Sequence, residues 1–309
     1  MANYIAVDVG GTQIRVAVFA HEGIRPIKQS KKPTRGPNDT VVDRIFSLIG
    51  ELWPEDEPVA GIGIAAPGPL DPKSGIIYRA PNIPEWVMLP LRDIIQERFG
   101  VPTTLGNDAN MAALGEWRYG AGQGHNNLIY LTISTGIGGG VILDKQLVLG
   151  EHGFATELGH VTILPDGPLC GCGQRGHLEA ISSGTAIANY VIEQINQGRQ
   201  SVLKAQPRPG GKQISEAARQ GDPVALEAYQ RAGKYLGLAI ANYLHIFNPT
   251  IVILGGGVSQ SGELLLAPVR DALKQYIFGP EYLLPFEIAT AALGDEAGLL
   301  GAVALARTL

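Results

Sequence analysis

A chain of 309 residues with 45% hydrophobic and 17% charged side chains holds enough apolar material for substantial cores, which excludes a disordered chain. Its 24 Lys and Arg against 29 Asp and Glu leave a formal charge of -5, the wrong sign for nonspecific nucleic-acid binding. Two cysteines exclude a disulfide scaffold and no basic start leads into an apolar secretory segment, so the expectation is a soluble, cytoplasmic protein with about two domains and no membrane partner.

The first apolar run, Ile5 to Phe19, reads as two strands joined by a tight Gly10-Gly11 turn. A polar segment bearing Pro and Lys follows. Val41, Ile45, Leu48 and Ile49 recur at helical spacing and predict a helix over 40–52. Residues 59–66 read as a buried strand stopped by Pro67-Gly68-Pro69, and Leu91 to Phe99 as an amphipathic helix. Another helix begins near Gly106, with Asn107 or Asp108 placed to cap its free amides. Gly120 to Gly124, three glycines in five residues, is the best linker.

Leu128 to Ile142 repeats the opening pattern of strand, Gly/Thr turn and strand, so the chain reads as two halves of related construction. A loop is expected over 197–211. One long helix is expected over 222–247, where the stripes Leu236/Ile240/Leu244 and Ala239/Tyr243/Phe247 predict burial over much of its surface. Ile251 to Leu254 is a strand running into Gly255-Gly256-Gly257. Helical spacing resumes over 262–276, although Pro268 requires a helix start or a kink there. A short strand near Glu287 and a terminal helix over 295–306 complete an alternation that predicts an α/β fold.

Three strands thus end in glycines. A backbone without side chains approaches phosphate closely and turns its amides toward the anionic oxygens. Asp8, Gly10, Gly11 and Thr12 add a carboxylate suited to hydrated Mg²⁺ and a hydroxyl. The turn with Thr135 and Gly136 suits terminal phosphates, and Gly255, Gly256 and Gly257 the nucleoside or proximal phosphate. Neither the dinucleotide glycine fingerprint nor a Walker A sequence is present. Taken alone, such a turn is more often a structural hairpin than a phosphate site, and Asp8 fits an Asx-turn; three together point to a nucleotide.

His160, Cys170, Cys172 and His177 offer two nitrogens and two sulfurs, the number and chemistry of a structural tetrahedral Zn²⁺ site. Reduced thiols beside unrelated histidines, or a catalytic zinc, are the alternatives. Asp108, Glu157 and Glu179 frame this cluster. Carboxylates accept paired hydrogen bonds from vicinal sugar hydroxyls, and one beside an acceptor hydroxyl can receive its proton during phosphoryl transfer. Asp108 equally suits a helix cap, and the two glutamates solvated loop charges.

These motifs resemble the ROK family of bacterial sugar kinases and repressors over essentially the whole chain. The resemblance rests on Asp8-Val-Gly-Gly-Thr12, on Leu131 to Gly140, and above all on Glu157-Leu-Gly-His160 with Gly167-Pro-Leu-Cys-Gly-Cys-Gly-Gln-Arg-Gly-His-Leu-Glu179. It implies a two-domain actin-like fold (sugar kinase/Hsp70/actin) with an interdomain cleft: a small domain of residues 1–118 joined by the helix 295–309, and a large domain of 119–294. It implies Asp108 as general base, and Gly68, Asn82, Asn107, Glu157, His160 and Glu179 at the sugar, with Mg·ATP as donor and one structural zinc. The family commonly has a third cysteine where this chain has His177, which changes the charge of the metal site. The segment is most similar to the glucokinase-like branch, implying glucose converted to glucose 6-phosphate, with kinases of N-acetylmannosamine, N-acetylglucosamine or fructose as rivals. Family likeness implies a homodimer or homotetramer. With Asp8 so close to the start, a DNA-binding segment ahead of it is not expected, which leaves a noncatalytic sugar sensor as the competing class.

Overall fold

The computed structural model describes residues 2–37 and 39–309. They divide into two compact units, the first of 1–125, 140–156 and 292–309, the second of 126–139 and 157–291.

The first unit opens with β1 (Asn3–Val9), β2 (Gln13–Phe19) and β3 (Lys28–Pro33), followed by α1 (Val41–Leu52) and β4 (Val59–Ala66). Three short strands, β5 (Leu70–Asp71), β6 (Ile76–Arg79) and β7 (Val87–Leu89), form a small antiparallel sheet before α2 (Leu91–Phe99), β8 (Thr103–Asn107) and α3 (Asp108–Tyr119). The main sheet runs β3-β2-β1-β4-β8, with β1, β4 and β8 parallel. All seven residues of β1 are buried because both faces are covered. Its odd residues Ile5, Val7 and Val9 join Ile45 and Leu48 of α1 and Ile95 of α2, while Tyr4 and Ala6 join Met111 and Leu114 of α3 and the C-terminal segment. Thr40 caps α1 in a reciprocal box with Asp43.

A second sheet and its helices comprise β9 (Leu128–Ile133), β10 (Ile137–Leu143), β11 (Gln146–Leu147), α4 (Glu179–Ser182), α5 (Gly184–Asn196), α6 (Gly211–Arg219), α7 (Pro223–Phe247), β12 (Ile251–Gly255), α8 (Glu263–Tyr276) and β13 (Glu287–Thr290). The sheet order β11-β10-β9-β12-β13 reproduces that of the first sheet, and β9, β12 and β13 are parallel. The repeated strand-turn-strand pattern therefore marks a repeated topology. Helix α7 starts at Asp222, whose side chain accepts from the Ala225 amide, and ends at Asn248 in the left-handed conformation. It packs on α4, α5, α6 and α8. Pro268 neither starts nor stops α8: it lies inside the helix, its ring against Gly233 of α7, so packing offsets the missing rung.

The first unit closes with α9 (Ala297–Ala306), whose Leu299, Leu300 and Val303 complete the core beneath Tyr4 and Phe19. These units differ from the expected division over 119–125, 140–156 and 292–294, and the longest of these stretches is 140–156. That segment is tied to the first unit by the Thr156 hydroxyl donating to Asn110 at 3.1 Å and by the edge-on contact of Phe154 with Tyr78. Glu116, with no exposed surface, accepts the amides of Ala121 at 2.9 Å, Ala292 at 3.1 Å and Leu293 at 2.8 Å. It sits where the chain departs from this unit and where it returns. Among the described residues no helix is long and apolar enough to cross a membrane.

Candidate active site

Parallel strands gather their carboxyl ends on one edge, where α/β sheets bind ligands. In the first unit that edge carries the turn after Asp8, the segment after β4 with Gly68, and Asn107-Asp108 after β8. Gly10 closes the first turn by donating to the Gln13 carbonyl at 2.9 Å. Thr34 braces it, its amide on the Thr12 carbonyl at 2.9 Å and its hydroxyl on the Gly10 carbonyl at 2.7 Å. Thr12 is exposed at the tip, and the Asn82 side chain packs over Gly11. The structure thus joins Asn82 to the first glycine turn.

Asn107 ends β8 and caps α3, accepting from the amides of Ala109 at 3.0 Å and Asn110 at 3.3 Å. Asp108 is the first residue of α3 and also accepts from Ala109, at 2.8 Å. The junction places a carboxylate in the first turn of a helix. Gly68 faces the Asn107 carboxamide, so Gly68, Asn107 and Asp108 form one group.

Asp8 is not alone at its strand end. Arg15, directly opposite it across the β1–β2 hairpin, makes a two-nitrogen ion pair with its carboxylate and reaches Glu296 at 3.7 Å. Burial raises the Asp8 pKa against the opposing pull of Arg15. Sequence reasoning missed Arg15, yet counting back from the Gly10-Gly11 turn in hairpin register pairs it with Asp8.

In the second unit the second and third glycine turns converge. The Gly184 amide at the start of α5 donates to the Ser134 carbonyl at 2.8 Å, and the Val258 amide to Ile133 at 3.0 Å. Val258 touches Gly184, so Thr135-Gly136, Gly255-Gly256-Gly257 and the N-terminus of α5 share one corner. Helix starts and successive free amides are the usual cradle of phosphate. Ser134 and Thr135 are exposed there.

Glu157 leads a single 3₁₀ turn, Leu158–His160, its carbonyl accepting the His160 amide at 3.0 Å. Tyr243, fully buried on α7, anchors the turn by donating its hydroxyl to the Leu158 carbonyl, and burial raises its pKa. A Cβ on Gly159 would overlap the Ile137 carbonyl oxygen, so only glycine lets this turn lie on the strand leaving the second glycine turn. Tyr243, assigned to the core by its helical stripe, was not recognised as an anchor of this segment.

The four candidate metal ligands come together, with donor atoms all within 4.8 Å of one another. His160 Nδ1 and His177 Nδ1 are 3.3 Å apart, and Sγ of Cys172 and Cys170 lie 3.2 Å from His177 Nδ1 and 3.8 Å from His160 Nδ1. Zinc bond lengths give a tetrahedron with edges of roughly 3.3 Å N···N and 3.6 Å S···N, so the donor set fits that ion. Burial pushes the Cys170 thiol up to about 12, and burial with the neighbouring His160 lowers His177. A metal entering such a set displaces thiol protons, so its hold weakens in acid. Glu179, two residues beyond His177, opens α4; its Oε2 accepts from the Ile137 amide at 2.9 Å and its Oε1 from Cys170 Sγ at 3.4 Å.

The ROK family model matches residues 4–309. Glucokinase of Thermotoga maritima is 40% identical over 97% of this chain and 96% of its own. A crystal structure of a ROK family glucokinase from Streptomyces griseus in complex with glucose and AMPPNP superposes with a TM-score of 0.82 at 39% identity, covering 100% of both chains. A xylose repressor of Bacillus spizizenii is 35% identical over 96% of this chain and 75% of the repressor.

Proposed function

The chain belongs to the ROK family, and from that premise we propose that it phosphorylates glucose with ATP, transferring the γ-phosphoryl group to the 6-hydroxyl. The observation that carries the reading is Asp108 at the β8–α3 junction, grouped with Asn107 and Gly68. In this reading the Asp108 carboxylate takes the proton of the glucose hydroxyl as that oxygen attacks γ-phosphorus. The bond to the bridging oxygen of ADP breaks, and the proton stays on Asp108 until product leaves.

Gly11 and Thr12, in the turn that Gly10 closes, and Thr135 and Gly136 would donate amides and hydroxyls to the phosphates, with Gly255, Gly256 and Gly257 at the nucleoside end. Magnesium supplies charge neutralisation on the transferring group when bound. Asp8 would hold it through the ion's water shell, because Arg15 already occupies one side of the carboxylate. Gly68, Asn82, Asn107, Glu157, His160 and Glu179 would contact the sugar. Were Nδ1 of His160 to ligate zinc, its Nε2 would carry the proton and could donate to a sugar oxygen. His160, Cys170, Cys172 and His177 would hold the ion, which would keep the loop in shape. Two unpaired thiols with a ligand role suit the reducing cytoplasm, and we assign the protein there, as a homodimer or homotetramer that does not bind nucleic acid.

A coupled ATP/glucose assay tests the reading. Wild type turns over and Asp108→Ala falls by about 10²–10⁴-fold in kcat with sugar binding retained. A kcat/KM panel over glucose, mannose, fructose and both N-acetylhexosamines should rank glucose first; an acetylated sugar ahead of it would overturn the substrate but not the mechanism. The 35% identity to a repressor favours one second reading, a noncatalytic sugar sensor. Wild type that binds glucose yet turns over no hexose with ATP or polyphosphate would establish it.

A further inference from the structure

Glu179 joins two parts of the second unit that the reading above treats separately. It follows His177 by two residues and begins α4, so whatever fixes His177 also sets the position of the Glu179 carboxylate. Helix α4 is anchored behind it by Ser182, which donates to the Ala232 carbonyl of α7 at 2.9 Å. The carboxylate's Oε2 accepts from the amide of Ile137; its Oε1 accepts from the Cys170 thiol, a bond that a thiolate holding metal no longer donates.

Ile137 is the first residue after the Ser134–Gly136 turn and is 4% exposed. Its amide is one of the few groups that can hold the turn's exit. Gly136 is open for this purpose, since a Cβ there would fall on Glu179 Oε2. Gly159 covers the carbonyl of the same residue. The exit of the turn is thus gripped from both directions, by the segment carrying His160 and by the residue that follows His177.

We propose that Glu179 is a positioning residue for the nucleotide: it carries the metal-held geometry of His177 to the Ile137 amide and thereby fixes the turn that receives the terminal phosphates. The proposal rests on the phosphate reading of Ser134–Gly136. It separates from a sugar contact at one point. A residue that only touches glucose has no effect on nucleotide affinity measured without sugar, whereas a brace of the turn does. The acceptor requirement is also specific, because an uncharged side-chain oxygen still satisfies the Ile137 amide.

The test uses zinc-loaded full-length protein, Glu179→Ala and Glu179→Gln, with two measurements. Amide hydrogen exchange at Ile137 in the ligand-free protein should quicken about tenfold or more in Glu179→Ala and stay close to wild type in Glu179→Gln. Chelation of zinc should quicken it in wild type and add nothing in Glu179→Ala, as expected for two steps of one coupling. Affinity for Mg·AMPPNP without sugar should fall about tenfold in Glu179→Ala and less than about twofold in Glu179→Gln, while glucose affinity falls in both. Normal wild-type nucleotide affinity unmoved by Glu179→Ala would overturn the brace alone. Wild type that fails to bind AMPPNP, with Ile137 exchange responding as stated, would overturn the phosphate reading and the nucleotide role with it.

Discussion

Replacing Glu116 by Ala removes the acceptor of three amides at once. Hydrogen bonds to a charged group contribute about 1.5–3 kcal/mol each, and a buried donor left without a partner forfeits that contribution. Ala292 is exposed, so its amide regains water, whereas Ala121 and Leu293 are half-buried and recover less. Two bonds counted nearly in full give a loss of about 3–5 kcal/mol, a large part of the roughly 5–15 kcal/mol that keeps a domain folded. Glu116→Gln should cost about 1.5–3 kcal/mol, because its NH₂ group must face at least one of the three N–H donors while its oxygen still accepts from the others. The assay is direct: Trp53, Trp86 and Trp117 all lie in the first unit, so tryptophan fluorescence in urea reports that unit alone. The midpoint should drop by roughly 1–2 M with little change in slope. A loss below about 1 kcal/mol in Glu116→Ala, or a Gln variant as stable as wild type, would refute the assignment of all three bonds to this carboxylate.

Gly159→Ala forces a methyl group onto the Ile137 carbonyl and should destabilise the second unit by about 1–3 kcal/mol, read as a lowered calorimetric transition. Metal analysis after dialysis should find one zinc per chain in wild type and in His177→Cys, and less in His177→Ala; full zinc in the Ala variant would remove His177 from the ligand set. Burial works against the Asp222 carboxylate, but the amides of Ala225, Val202 and Val224 and the Ser201 hydroxyl outweigh it and hold its pKa below the ordinary value. A depressed folded pKa means stabilisation that is complete above the unfolded value, about 3.9, and is lost as pH falls through the lower folded one. Wild type should therefore exceed Asp222→Asn in Tm at pH 7, with the gap closing below about pH 4.

What the sequence made legible was whatever local pattern alone specifies. The Gly10-Gly11 hairpin, the α1 stripe behind Thr40 and the two faces of α7 each follow from periodicity and capping. The candidate metal ligands, which the fold brings together, were legible because sulfur and imidazole crowded into eighteen residues have few other uses. Strand β3 escaped because Lys28–Pro33 buries no apolar face; it is an edge strand held by main-chain pairing to β2. The small sheet β5–β7 and helix α6 were passed over for their short lengths and mixed polarity. At the site, the residue types at Asp8, Asn107 and Glu179 were readable, but their partners were not. Arg15, Glu116 and Tyr243 are ordinary in type, and only the tertiary fold decides what their polar atoms meet.

Helix α9 has a consequence for how the protein comes into being. The sheet face bearing Tyr4, Ala6, Phe19 and Ala65 finds half its cover in a segment that emerges far later in the chain. The roughly 230 residues between β4 and α9 take on the order of 10–50 s to translate, and for that interval the nascent sheet shows an uncovered apolar surface. Chaperones that recognise such surfaces therefore have a long window on this chain, and emergence of α9, rather than of β4, is the event that lets the first core close.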